Sequence, residues 1–516
     1  MSIPTILHQQ ARERGSVPAI IESPGGKEYQ ISFAELDQLA ASFGSYLYRR
    51  GVRKEENVLV FVPMSVALYP ILLGIFRSGA TAVFMDPSAG LTHLNACSRV
   101  CRPKAFVGST KAHLLRLLCS EMRGIPITIQ TKQALRCDHA ISDELPEPAL
   151  HDPALMTFTS GSTGQPKAAV RTHGFLLAQH RALADSIKLE PGELDLTTLP
   201  IFVLANLASG VTSLLPDANI SRPGTVKVEG IAAQIDRYHP TRTGGSPAFY
   251  TQLAEFSETK RNILSGFRKI YTGGAPVFPG LLSRLQSLAP DAEVTAVYGS
   301  TEAEPIAHVS YEELGSSACQ RTGANVGLLA GKPIPGITCA VIGDSWGQPV
   351  DPMTESEFSR IQCGANQPGE IVVQGSHVLP GYLNGVGDQE TKFKVDELVW
   401  HRTGDAGYFD DQKRLWLLGR CAAKVQDQRG LVYPFAVECI IQDFEFVRRC
   451  AFLSHQGVRL LLVEPIGTDL REQERAKLSA AVKPFAVDEI RVMKLPVDRR
   501  HNAKIDYPRL RRMLGR

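Results

Sequence analysis

The chain has 516 residues, 43% of them hydrophobic, which is enough to bury more than one core and predicts roughly two to four domains. Its 56 basic and 53 acidic residues nearly cancel to a formal charge of +3, so charge balance gives no reason to expect nucleic acid or a membrane surface as a partner. The opening residues lack an unbroken apolar core, and the most hydrophobic segment, 68–84, is interrupted by Arg77 and Gly79. Neither export nor a membrane span is expected, and the predicted location is cytoplasmic. Ten cysteines occur without a C-x-x-C pair. Cys97 and Cys101 could share a helix face but lack the second half of a zinc site, so reduced thiols are expected.

Along the chain, apolar runs at 58–62, 80–84 and 105–107 read as short buried strands, with helical patterns at 32–49 and 65–77 before and between them. Strand alternating with helix predicts an α/β fold with parallel sheet covered by helices. Ser32 followed by Glu35 is a capping-box signature that places a helix start. Next comes the run Thr159, Ser160, Gly161, Ser162, Thr163, Gly164, Gln165, Pro166, Lys167, set between a strand-like segment at 154–158 and a helical pattern downstream. Its glycines let the backbone turn successive N–H groups inward, its hydroxyls add short donors, and Lys167 adds a point charge, which together suit phosphate. It is not the P-loop signature, because the lysine follows a proline instead of a glycine.

Residues 270–276 and 294–302 repeat one design, an apolar strand followed by a Gly-bearing polar turn, and ligand groups collect at such strand ends in parallel sheets. Strand signals at 370–374 and 415–418 predict a smaller β-rich region. Beyond Gly419 and Arg420 the pattern restarts as a compact mixed unit, which places a domain boundary between 1–419 and 420–516. Read singly, Glu302 could cap a helix, Asp405 could belong to an ordinary turn, and Lys504 would be a surface lysine.

Four further stretches, Tyr298-Gly299-Ser300-Thr301-Glu302, Arg402-Thr403-Gly404-Asp405, Gly419-Arg420 and Arg500-His501-Asn502-Ala503-Lys504, join the Thr159–Lys167 run in an order that resembles the acyl-adenylate-forming enzymes. That superfamily holds acyl-CoA synthetases, peptide-synthetase adenylation domains and luciferases. The resemblance implies a large N-terminal AMP-binding domain, a small mobile α+β C-terminal domain, and an active site between them. It implies ATP and Mg²⁺ as cofactors and a small carboxylic acid as substrate. Lys504, Glu302 and Thr301 take catalytic roles in that reading, with Glu302 holding Mg²⁺ and Lys504 touching carboxylate and α-phosphate oxygens. Thr159, Ser160, Gly161, Ser162, Thr163, Gly164 and Lys167 would bind phosphate, while Tyr298, Gly299 and Ser300 with Gly274, Ala275 and Pro276 would enclose adenine. Asp405 and Arg420 would bind the ribose. An apolar acyl chain would lie along 202–215 and 242–249, at Phe202, Val203, Ala205, Gly210 and Gly245.

The chain also departs from thioester-forming relatives. Ala422 stands where a charged hinge residue is usual, Ala436 replaces the first glutamate of the Pro-x-Glu-x-Glu motif, and the aromatic-His segment reads Pro200-Ile201-Phe202-Val203. These departures, with the Val497–Lys504 ending, are similar to the branch of β-lactone synthetases in bacterial olefin biosynthesis. Such an enzyme adenylates a 3-hydroxy fatty acid and lets the substrate's own hydroxyl attack. The alternatives are transfer to CoA or to a carrier-protein phosphopantetheine arm, and a catalytically inactive nucleotide sensor or scaffold.

Overall fold

Ser32 and Glu35 form the capping box that their spacing predicts. The Ser32 hydroxyl accepts from the Glu35 backbone N–H, and the Glu35 carboxylate accepts from the Ser32 N–H at 2.8 Å. Two otherwise orphaned donors are thereby satisfied, and the helix Phe33–Arg49 starts there. The computed structural model of the chain describes residues 2–136, 145–160, 166–315, 327–498 and 504–515, without the side chains of Thr159 and Ser160. Two compact units build it: Met1–Asp217 with Arg237–Arg242 and Ser376–Gln389, and Ala218–Asp236 with Thr243–Gly375 and Glu390–Arg516.

In the first unit a six-stranded sheet runs in the order Ile127–Gln130, Ala105–Gly108, Asn57–Phe61, Thr81–Phe84, Pro153–Ser160, Pro166–Thr172. Every neighbouring pair but the last is parallel. The predicted strands at 58–62, 80–84 and 105–107 are therefore present and parallel, and the second expected helix begins at Leu68 and ends at Arg77. Val58, Val60, Ala82, Ala105 and Val107 pack with Phe43, Ile71 and Ile75 of the two helices in one core. A one-sided apolar stripe on each helix, buried against a sheet apolar on both faces, gives this layering.

The segment after the hydroxyl-rich loop differs from expectation. Pro166–Thr172 is a strand antiparallel to Pro153–Ser160, with Thr159 opposite Lys167, and the helix His173–Ser186 starts only after it. The loop thus joins the two strands of a hairpin and does not open a helix. Burial explains it: Ala168 and Ala169 are almost wholly buried, and Ala168 packs with Val83, Phe106 and Met156.

In the second unit the strands Lys269–Gly273 and Glu293–Ser300 run parallel. The sheet continues through Ala303–Ser310, Leu328–Pro333, Leu415–Arg420, Leu398–Phe409, Gly369–Gly375 and Ile337–Ile342, all antiparallel to their neighbours. The expected β-rich region is the far end of this sheet. The C-terminal part folds as a smaller α+β domain, in which Val447–His455, Val458–Pro465 and Glu489–Val492 form their own sheet. Its faces bury separate cores, one around Phe452, Leu461 and Val463 and one around Leu453, Leu460 and Leu510. Among the described residues, no helix is long and apolar enough to cross a membrane.

Candidate active site

The site in the second unit begins at strand ends. Gly273 lies opposite Val297 in the parallel pair, so both chains leave the sheet side by side, one as Gly274-Ala275-Pro276 and the other as Tyr298-Gly299-Ser300. Gly274 has φ +78°, a left-handed conformation that glycine adopts without steric cost. A third pair comes from the antiparallel strands Leu398–Phe409 and Leu415–Arg420, whose register sets Asp405 directly opposite Arg420.

These groups meet. The Tyr298 hydroxyl donates to Asp405 Oδ2 at 2.8 Å, and Arg420 Nε lies 3.2 Å from Asp405 Oδ1. Burial first, and the adjacent Asp405 carboxylate next, hold the Tyr298 phenol well above its usual range, so it remains a donor. The same carboxylate raises Arg420. Each carboxylate oxygen has a second lone pair, so Asp405 can still accept from a ligand. Thr403 braces it: its hydroxyl accepts from the Asp405 N–H at 3.1 Å and donates to the Ile371 carbonyl at 2.8 Å, while Arg420 Nη1 donates to the Thr403 carbonyl at 3.1 Å.

Beneath this lies an ion pair that the sequence did not single out. Arg402 and Glu370 are both fully buried, joined by Nη2–Oε2 at 2.6 Å and by Nε to both carboxylate oxygens at 3.1 Å.

Gly274, Ala275, Pro276, Tyr298, Gly299, Ser300, Asp405, Arg420 and Lys504 all line one cavity of about 230 Å³. Lys504 arrives on a segment closed by Asp498, whose Oδ1 accepts from the Lys504 N–H at 2.9 Å and whose N–H donates to the Lys504 carbonyl at 2.8 Å. Burial and then Arg420 lower the Lys504 pKa, while Asp405, Asp498 and Glu302 work against that shift. Glu302 sits in the turn between Glu293–Ser300 and Ala303–Ser310, beside Thr301, and its N–H donates to Ser300 Oγ at 3.2 Å. No helix follows it, so helix capping is not its role. Asp405 likewise lies within a strand and not in a turn. Near Glu302 is a second unforeseen pair: Lys392 lies opposite His401, with Nζ 3.1 Å from Nδ1. Burial, then Lys392, holds His401 down to about 3, so its imidazole is neutral.

The remaining predicted residues belong to the first unit or to its border. Gly161, Ser162, Thr163 and Gly164 lie outside the described residues, as do the side chains of Thr159 and Ser160. Lys167 is buried, its ammonium 5.8 Å from the centre of the Tyr382 ring. Phe202, Val203 and Ala205 are buried on the helix Pro200–Ser209, which Gly210 ends in a left-handed conformation at φ +70°. Gly245 is the buried last residue of the strand Arg242–Gly245.

Glu302 supplies one carboxylate in this turn, close enough that its charge acts to raise both Arg420 and Lys504. That donor set fits Mg²⁺, which keeps several waters and takes one or two carboxylates together with substrate phosphate oxygens.

Residues 7–383 match the family model described as AMP-binding enzyme. The chain is 30% identical to the olefin beta-lactone synthetase of Xanthomonas campestris pv. campestris, over 99% of this chain and 96% of that protein. It is 24% identical to 4-coumarate-CoA ligase 1 of Narcissus pseudonarcissus, over 82% of this chain and 76% of that one. Its fold is similar to that of ATP-bound MatB from Rhodopseudomonas palustris, with a TM-score of 0.80 at 19% identity and 99% of both chains covered.

Proposed function

Because this chain belongs to the AMP-binding enzyme family, we propose that it activates a 3-hydroxy fatty acid with ATP and then closes the acyl-adenylate to a β-lactone. In the first step a carboxylate oxygen attacks the α-phosphorus, the bond to the β,γ-phosphates breaks, and pyrophosphate leaves. In the second the 3-hydroxyl oxygen attacks the activated carbonyl carbon, the bond from that carbon to the bridging oxygen of AMP breaks, AMP leaves with that oxygen, and the hydroxyl proton is given up to water. Intramolecular attack needs no bimolecular encounter, and cleavage of the mixed anhydride offsets the strain of the four-membered ring.

The observation that carries the adenylation reading is the convergence of Tyr298, Asp405, Arg420 and Lys504 on one cavity. In that reading Asp405 and Arg420 bind the ribose, and the Tyr298 ring, fixed through its hydroxyl, walls the base against Gly274-Ala275-Pro276. Lys504 neutralises charge that grows on the α-phosphate oxygens, in a half-buried setting where such a contact is stronger than in water. Glu302 would hold Mg²⁺, which supplies charge neutralisation at the phosphates. Thr301 and the Thr159–Lys167 loop take the phosphate-binding roles that their hydroxyls and lysine suit. Residues 420–516 act as the mobile cap that delivers Lys504, on the 1–419 domain. The acyl chain is assigned to Phe202, Val203, Ala205, Gly210 and Gly245.

The lactone fate is supported by the full-length relative at 30% identity and by the altered hinge and thiol-channel residues, among them the exposed Ala422. The coumarate-CoA ligase relative supports the second reading, transfer to the thiol of CoA or of a carrier protein. Incubation of the full chain with ATP, Mg²⁺ and a 3-hydroxy fatty acid, with and without CoA, decides between them. A lactone formed without thiol is the expected result. Adenylate that accumulates until CoA is added favours the ligase, and no acid-dependent exchange of pyrophosphate into ATP across a panel of acids favours a nucleotide sensor.

A further inference from the structure

The lysine assigned to adenylation stands near the end of the chain, on a segment that is little more than a turn and one short helix. Among the described residues its segment is held by the Asp498 clasp and by an isolated bridge between Val497 and Ile505. What fixes the other side of that segment is Tyr507, the first residue of the helix Tyr507–Leu514. Its hydroxyl donates to the Oε1 of Glu438, on the helix Pro434–Gln442. Glu438 is only 3% exposed, and the same Oε1 accepts from the backbone N–H of Phe452, at 2.8 Å, in the strand Val447–His455 at one edge of the C-terminal sheet. Glu438, Tyr507 and Lys504 line the same cavity.

We infer that Glu438 and Tyr507 are positioning residues that hold Lys504 in place for adenylation, transmitting the rigidity of the Val447–His455 strand to the lysine segment. The inference rests on the adenylation role proposed for Lys504. Neither residue touches the reacting atoms in this assignment; they act through the lysine. The line of contact runs from the Phe452 backbone to a buried carboxylate, then to Tyr507, and from there through three residues of chain to Lys504.

The chemistry of the carboxyl gives the tether a dependence on pH. The groups that face it are Tyr507 from the C-terminal helix and the Phe452 N–H and Cys450 from the strand, with Cys450 Sγ donating to the Glu438 carbonyl at 3.5 Å, while Cys439 and Asp443 act on Cys450. Arg449 and Lys504 share the cavity wall, Arg449 paired with Glu464 at 3.4 Å, and Arg511 faces Tyr507. Burial pushes Glu438 up to about 7, and burial with the nearby carboxyl keeps Tyr507 protonated well beyond that pH. Ionised, the carboxylate accepts from Tyr507 and Phe452 in charge-assisted bonds that are roughly twice as strong as neutral ones. The tether therefore tightens as pH rises through about 7.

The test uses the full chain and its acid-dependent exchange of pyrophosphate into ATP, followed from about pH 5.5 to 9. Tyr507→Phe keeps the ring and removes the hydroxyl; Glu438→Gln keeps the shape and removes the ionisation. Tyr507→Phe should lower kcat about ten-fold, the loss of one hydrogen bond to a charged acceptor, with KM for ATP changed less than about two-fold. The wild type should show an acid limb centred near 7, and Glu438→Gln should abolish it. In a Lys504→Ala background Tyr507→Phe should have no further effect, which a general loss of folding would not reproduce. An unchanged kcat for Tyr507→Phe beside an inert Lys504→Ala chain, or an acid limb that survives in Glu438→Gln, overturns the tether. Normal activation by Lys504→Ala instead overturns the reading on which the tether rests. If either single variant unfolds, judged by its thermal transition, the other decides by the same criteria.

Discussion

Glu370 and Arg402 offer the most direct test of how the Asp405–Arg420 end of the cavity is held. Both side chains are fully buried, and Glu370→Gln removes the charge that neutralises Arg402 while keeping the side-chain shape. Three close contacts, 2.6 Å and twice 3.1 Å, lose their ionic component, and the guanidinium keeps only neutral partners, one amide oxygen, the Gln348 carbonyl and the Trp346 ring 5.3 Å away. Removing one partner of a buried pair costs about 3–5 kcal/mol, because the remaining charge stays dehydrated. All three tryptophans, Trp346, Trp400 and Trp416, lie in the second unit, so their fluorescence reports its unfolding. In urea the midpoint of that transition should fall by roughly 1–2 M at a slope of about 2–3 kcal/mol/M. The double change Glu370→Leu with Arg402→Met should recover most of the loss, since buried pairs are often no better than apolar groups of similar size. A single variant whose midpoint moves by less than about 0.3 M would refute the argument that this pair is an obligatory support for the strand carrying Asp405.

Lys504→Ala should fold, bind ATP and lose roughly 10²- to 10³-fold in adenylation rate, the usual consequence of deleting one electrostatic stabiliser; single-turnover formation of acyl-AMP checks it, and near-normal activation would end the assignment. Asp405→Asn keeps an acceptor for Tyr298 but loses the charge facing Arg420 and proposed to hold the ribose, so KM for ATP should rise about ten- to a hundred-fold, measured alongside direct nucleotide binding. Glu438 predicts a stability effect with a definite sign. Its folded pKa of about 7 exceeds the ordinary 4.5, so the stabilisation tied to its proton is complete below 4.5 and is lost as pH rises through about 7. Wild type should therefore lose melting temperature relative to Glu438→Gln over that interval, and a difference of the opposite sign would show that the buried carboxyl is not destabilised when ionised.

Local patterns were legible where local forces decide. The apolar run at 58–62 is the strand Asn57–Phe61, and the Ser32–Glu35 spacing marks a true helix start, because capping and apolar burial act within a few residues. The Pro166–Thr172 strand was not legible, since Lys167-Ala168-Ala169-Val170 carries no alternation, and its partner across the hairpin fixes its state. The same limit applied in the site. Residue types at 298, 405, 420 and 504 could be read, but not that the Tyr298 hydroxyl is spent on Asp405. The buried Arg402–Glu370 pair could have been suspected from Glu370 at the head of the strand signal at 370–374, because a charge facing a sheet core demands a partner.

Register is the physical reason why those chemical groups come together. Asp405 faces Arg420 because the two strands are joined by a turn in which Asp410 accepts from the N–H groups of Gln412 and Arg414, at 3.0 and 2.9 Å, and from Trp416 Nε1 at 3.0 Å. A register shift between Ala406 and Gly407 then offsets the pairing beyond it. A slip of one residue would turn either side chain to the opposite face of the sheet, separating the acid from the guanidinium without altering the sequence of either motif. Lys392 and His401 obey the same rule across their own hairpin. Glu438 and Tyr507, by contrast, are 69 positions apart and meet only because a helix and a chain terminus pack on one sheet. Motifs name the groups, while strand register and helix docking set the distances on which their chemistry depends.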